Sequence, residues 1–194
     1  MTRTVKTVRR YRFTVDQYHR MGDAGIFHPD CRVELINGQI FEMSPIDPWP
    51  AGVVDWLTYQ FTKRLQGLAL VRVQNPATLD RYSEPQPDVM LIEPRADFYR
   101  MSHPTPDETL LVIEVSNTSL RHDLRRKVPL YARRQVSEVW VVNRHADAVD
   151  VFRVPTPEGY DVQFRRGRGE SLTPAAFPDV SLSVDELLGP PISS

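Results

Sequence analysis

The sequence predicts an α/β (α+β) fold with a central mixed β-sheet flanked by helices. Three observations predict it. Residues 110–116 and 138–143 are near-continuous apolar runs, the pattern of strands buried on both faces. Residues 117–135, between them, are helical in composition. Residues 148–154 and 160–166 alternate apolar with polar, like an exposed antiparallel pair extending the sheet on its antiparallel side.

Each element has a local reason. Residues 1–10 carry no pattern and read as a loose arm, and 189–194 read as a tail around a single domain of 11–188. Thr14 is a candidate N-cap for a short helix to Met21, with Gly22 and Gly25 as stops. Residues 31–43 form a hairpin signal, two β-rich runs around Asn37-Gly38, the preferred type I′ turn. That turn pairs Ile36 with Gln39, Leu35 with Ile40 and Glu34 with Phe41. Pro45, Pro48 and Pro50 predict an extended linker. Over 52–68, Val53, Leu57, Phe61 and Leu65 recur every fourth residue, with Val54 and Leu68 beside the stripe, so a helix is expected. Strands follow near 69–74 and 88–92, the second fenced by Pro85 and Pro87, and 97–107 is a polar loop. Pro129 must kink the helical stretch 117–135 or open a new first turn. Residues 172–188 read as short turns and a last helical turn.

Composition narrows the function classes. The chain has 194 residues, 41% hydrophobic and 25% charged, enough to bury a core without disulfides and too apolar for global disorder. One cysteine, Cys31, excludes an intrachain disulfide framework or a cysteine-cluster metal site and suits a reducing cytoplasm. The longest aliphatic stretches span four residues, too short for a transmembrane helix, and no apolar region follows the basic first residues as in a signal peptide. The five histidines lack zinc spacing, and no nucleophile elbow, P-loop or dinucleotide fingerprint is present. The net charge of −1 hides segregation: residues 84–114 carry seven Asp/Glu against two Arg, and 121–134 carry six Lys/Arg against one Asp. An acidic cluster beside a basic segment suits a metal-dependent enzyme acting on a polyanion, and also suits ordinary solvated faces.

Four residues are candidates for chemistry, each with a plainer role open beside it. Glu114 interrupts a strand that is apolar on both faces, where a lone carboxylate is costly; a salt bridge to a following arginine would also explain it. Asp88 opens a strand directly after Pro87, where turn capping is common. Glu34 shares a hairpin face with Ile36 and Phe41, and a solvated hairpin glutamate is equally open. Lys127 stacks between Asp123 and Tyr131 at intervals of four, which also describes a surface ion pair with Asp123.

The ordered segments Arg-Val-Glu-Leu-Ile-Asn-Gly, Gln-Pro-Asp-Val-Met-Leu-Ile, Leu-Val-Ile-Glu-Val-Ser-Asn-Thr-Ser, Asp-Leu-Arg-Arg-Lys-Val-Pro-Leu-Tyr and Val-Ser-Glu-Val-Trp-Val-Val-Asn resemble the Uma-type family. These are bacterial proteins classed with restriction endonucleases of the PD-(D/E)XK nuclease superfamily, and the resemblance covers residues 10–188. It implies a restriction-endonuclease-like core with an N-terminal hairpin and extra antiparallel C-terminal strands. It also implies a divalent-metal site at the sheet's edge. Asp88 matches the Pro-Asp aspartate, Glu114 the glutamate of the Glu-X-Lys element, Glu34 the upstream hairpin glutamate and Lys127 the helix lysine before Leu-Tyr. Ser116 stands where the superfamily carries its lysine, which makes Lys127 the migrated replacement. Related sequences often carry a histidine after Met-Ser-Pro; here none occurs between Phe41 and Leu79.

The resemblance thus implies an endonuclease hydrolysing DNA with Mg²⁺ or Mn²⁺ on Asp88, Glu114 and the Val115 carbonyl. Glu34 would hold a water or a second metal. Converging carboxylates would need a cation, itself a reason to expect metal. Arg121, Arg125 and Arg126 are expected on DNA phosphates, and Arg133, Arg134, Arg165, Arg166 and Arg168 are further candidates. A homodimer suits cleavage of both strands. The alternative class is a degenerate nuclease fold that serves as a nucleic-acid-binding or interaction module.

Overall fold

The computed structural model describes residues 9–191. Most of the expected arm and the last three residues of the expected tail lie outside the described residues. Helix α1 (Val15–Asp23) begins at Thr14, whose hydroxyl accepts the Gln17 N–H while its own N–H donates to Gln17 Oε1, a capping box.

Strands β1 (Val33–Ile36) and β2 (Gln39–Glu42) pair in the predicted register. Asn37 (φ 50°) and Gly38 (φ 76°) are both left-handed, as a type I′ turn requires. Gly38 has a second constraint: a Cβ there would stand 2.6 Å from Arg12 Cβ. The turn is also sewn to its neighbours, since Phe13 N–H donates to the Gly38 carbonyl and Gly38 N–H to the Tyr82 carbonyl. Gly38→Ala is therefore expected to cost about 1–3 kcal/mol. Urea denaturation checks this, and an unchanged midpoint would mean that the Arg12 segment yields freely.

Helix α2 (Pro48–Leu65) corrects the expected linker. Pro48 and Pro50 sit in its first turn, where a missing N–H is harmless. The stripe Val53, Leu57, Phe61 and Leu65 is buried as its spacing requires, but Leu68 is exposed. Gln66 (φ 45°) and Gly67 (φ 91°) turn left-handed and end the helix before Leu68.

β3 (Leu70–Val73), β4 (Val89–Ile92), β5 (Thr109–Ser116) and β6 (Glu138–Asn143) follow. Between β5 and β6 run α3 (Leu120–His122), a wide π-type turn (Asp123–Lys127) and α4 (Val128–Arg133). Pro129 explains the wide turn. It has no N–H for the carbonyl of Arg125 and would crowd it; the Val128 N–H instead reaches back five residues to the Asp123 carbonyl. β7 (Ala148–Pro155) and β8 (Tyr160–Gly167) complete the sheet, and β9 (Ser171–Leu172), β10 (Leu182–Ser183) and α5 (Val184–Leu188) close the chain.

The six strands run in the order β3-β4-β5-β6-β7-β8, parallel at β5–β6 and antiparallel elsewhere. β7 is not exposed as expected. Val149 and Val151 pack on one side and Phe152 on the other, and β8 rather than β7 forms that edge of the sheet. One core joins α2 and α5 to Leu91, Leu111, Ile113 and Trp140. The other joins α4 and Ile36 of the hairpin to Met90, Val112, Val139 and Val141. This sandwich brings the hairpin, the start of β4, the end of β5 and the π-type turn together at one place. No described helix is long and apolar enough to cross a membrane.

Candidate functional site

Glu34, Asp88, Glu114 and Lys127 all line one cleft of about 420 Å³. Glu34 comes from β1, Asp88 from the residue before β4, Glu114 from the end of β5 and Lys127 from the π-type turn. Lys127 is 3% exposed and is the hub. Its Nζ lies 3.0 Å from Glu114 Oε2, 3.3 Å from Glu34 Oε2 and 3.5 Å from the Gln86 carbonyl. Two of these contacts are hydrogen bonds and the one to Glu34 is an ion pair. Glu114 pairs with this lysine rather than with an arginine, and its Oε1 accepts the Tyr131 hydroxyl at 2.6 Å. Lys127 makes no salt bridge with Asp123, so the surface ion pair left open by the sequence does not form; Asp123 is buried and accepts the Ser116 and Ser119 hydroxyls, each at 2.7 Å.

The charges are strongly coupled. Burial alone would raise Glu34, but the Lys127 charge and hydrogen bonds from His122 and the Gln86 N–H outweigh it and bring the carboxyl from 4.5 down to about 2. Burial pushes Glu114 well up; Lys127 opposes only in part, and Asp123, Asp88 and Glu34 add to the rise. Lys127 itself is held well above its ordinary value, because Glu114 and Glu34 overcome the cost of its burial. Asp88, partly exposed, is raised by loss of hydration against the pull of Lys127 and the Val115 N–H. The sequence reading expected converging carboxylates to demand an added cation, and here the lysine ammonium already supplies one.

Asp88 Oδ2 accepts the Val115 N–H at 2.7 Å. A strand residue's N–H and C=O point to the same side, so the Val115 carbonyl faces that side too. Val89 pairs with Ile113, so the register extended by two residues sets Pro87 opposite Val115, and proline has no N–H for that carbonyl. Asp88, Glu114 and the Val115 carbonyl form an all-oxygen donor set of the kind Mg²⁺ accepts with waters. Among the described residues, no cluster of three or more His, Cys, Asp or Glu side chains is spaced to hold a metal unaided.

Sequence reasoning missed three cleft residues. His122 Nε2 lies 3.2 Å from Glu34 Oε1, and its ring meets Phe41 edge-on at 5.1 Å. Arg32 and Gln74 line the opposite part of the wall. His122 had a signal, its place five residues before Lys127 in the basic segment; Arg32 and Gln74 had none, because they meet across 42 residues.

Arg121, Arg125 and Arg126 are exposed on the segment whose inner face lines the cleft. Arg126 also stacks over Phe41 at 4.8 Å. Arg165, Arg166 and Arg168 are paired with Asp150, Glu170 and Asp147, and Arg134 with Asp80, so each already has a carboxylate partner.

The model of the Uma2 family, described as "Putative restriction endonuclease", matches residues 15–185. The chain belongs to the Uma2 family. No curated protein sequence matches it significantly. Among solved structures it is similar to one described as "a putative nuclease belonging to DUF820 from Anabaena variabilis". The TM-score is 0.71 at 13% identity, over 91% of this chain and 97% of the other, so the two share a fold. This Uma2 chain keeps the restriction-endonuclease-like architecture, with its carboxylates and lysine at one sheet end.

Proposed function

We propose that the protein is a metal-dependent endonuclease that hydrolyses DNA phosphodiester bonds, with Mg²⁺ or Mn²⁺ held by Asp88, Glu114 and the Val115 carbonyl. One observation carries this reading: Asp88, Glu114, Glu34 and Lys127 come from four separate elements and meet in a single cleft. When bound, such an ion supplies Lewis-acid polarisation of a phosphate and acidifies a water. Asp88 is aimed by the Val115 N–H, which occupies one oxygen and leaves the other to the cleft. Glu114 is fixed by Tyr131 and Lys127. Lys127 keeps Glu34 and Glu114 compatible and leaves the ensemble negative. His122, beside Glu34 and partly open to the cleft, can hold or pass a proton. The exposed Arg121, Arg125 and Arg126 would receive the DNA backbone. A two-fold dimer would bring one such cleft to each strand.

A second reading is a nuclease fold that binds nucleic acid without cutting it. The burial of Lys127 among Glu34, Glu114 and the Gln86 carbonyl favours it, as does serine at position 116. Cleavage of supercoiled plasmid and single-stranded DNA with Mg²⁺ or Mn²⁺ separates the two. The nuclease reading expects cutting by the wild type and a loss of at least about 10²-fold in Asp88→Ala and Glu114→Ala. An inert wild type, or variants that cut equally well, overturns it.

A further inference from the structure

We infer that Arg32 is the docking group for a phosphate oxygen of the nucleic acid, and that Gln74 couples this cation to Asp88. The inference deepens the nuclease reading and rests on it for the identity of the ligand. Six carboxylates line the cleft, from Glu34, Glu42, Asp47, Asp88, Glu114 and Asp123, against two permanent cations, Arg32 and Lys127. A phosphate entering this field needs a fixed donor. Lys127 is buried and held among Glu34, Glu114 and the Gln86 carbonyl, so it offers nothing direct.

Arg32 is different. It stands just before β1, and its carbonyl is tied down by the Met43 N–H at 2.8 Å. Its Nη1 donates to Gln74 Oε1 at 3.2 Å. Its Nη2 is buried and has no hydrogen-bond partner. A buried guanidinium nitrogen left unsatisfied is unfavourable unless something else takes its protons. Arginine's planar fork suits a phosphate, which accepts two parallel N–H bonds. The guanidinium is thus pre-oriented by one partner, with Nη2 unmatched by any described protein group.

Gln74 makes the cation part of the site. Its left-handed backbone (φ 50°) is held by a bond from its N–H to the Asp88 carbonyl at 3.0 Å. Its side chain accepts Arg32, so the cation is tied through Gln74 to the Asp88 backbone. A phosphate on Arg32 would therefore lie one side chain away from Asp88, next to the oxygens proposed to hold the metal.

The test is fluorescence anisotropy of a short labelled DNA duplex, and of the single strand, with Ca²⁺ in place of Mg²⁺, across a salt titration. Arg32→Gln should weaken binding about tenfold and flatten the log–log salt slope by about 0.9, the loss of one phosphate contact. Arg32→Lys keeps charge and length without the fork, and should recover part of the affinity. It also stands in if Arg32→Gln melts early. Wild-type affinity and slope in both variants would overturn the docking role, even if the wild type cleaves DNA. Arg32-dependent binding by a wild type that never cleaves would sustain docking and overturn only the nuclease reading. A wild type that binds neither DNA form overturns both.

Discussion

Lys127→Met should destabilise the protein by about 3–5 kcal/mol at neutral pH, because it strands buried carboxylates without their cation. Glu34 and Glu114 are each 2% exposed and would face one another across the vacated space. The pH dependence identifies the cause. In the wild type, Lys127 and two hydrogen bonds hold Glu34 down at about 2. Stability from that shift is complete above 4.5 and is lost as pH falls from there toward 2. In the variant both carboxyls lose the lysine, so burial and mutual repulsion raise them. A raised carboxyl makes the folded state bind protons more readily than the unfolded one, so acidification stabilises the variant. The gap to the wild type should narrow from neutral pH toward pH 4.5. Urea melts at several pH values read this directly. A constant gap would mean that the loss is one of packing alone.

Arg153→Ala should cost a similar amount, about 3–5 kcal/mol, for the same reason at the other end of the sheet. Glu138 is fully buried at the start of β6. Arg153 Nε donates to its Oε1 at 2.7 Å, Trp140 Nε1 to the same oxygen at 2.7 Å, and the Ala175 N–H to Oε2 at 2.6 Å. Without Arg153 two neutral donors remain around a buried charge. Five residue steps, roughly 16 Å of strand, separate Glu138 from Asn143 at the cleft end. Any cleavage or DNA binding measured per folded molecule should therefore be unchanged. Chemical denaturation with an activity assay below the transition tests both halves, and a specific loss of function would tie this end of the sheet to the cleft.

The legible parts of the fold were those set by short-range rules. Asn37-Gly38 fixes the hairpin register through the turn, and the face of Glu34 followed from it. Both-sided apolarity marked β5 and β6 as central, which made Glu114 conspicuous. The misread parts depend on what covers an element. β7 alternates like an open strand, yet Phe152 packs under the α4 side. Pro48 and Pro50 suit an extended linker and a helix's first turn equally well. Asp123, Lys127 and Tyr131 were correctly stacked by their spacing, but spacing cannot say whether the stack faces water or a β-strand. Arg32 and Gln74 meet only because the hairpin folds over the end of β3, a long-range event with no local signature.

The wide turn at Asp123–Lys127 has a consequence for how the chain tolerates changes in length. In a regular helix, residues four apart drift by about 40° per step, so three in a row spread over about 80°. The wider turn between Asp123 and Lys127 counters that drift, and Asp123, Lys127 and Tyr131 all stay buried. The segment acts as a phase corrector between Ser119 and Pro129. Deleting a single residue at Arg125 or Arg126 would leave every cleft side chain in the sequence, yet in a segment that stays helical it would rotate Asp123 and α3 by about 100° relative to Lys127 and α4. Residue count here is thus as much a determinant of the cleft as residue identity.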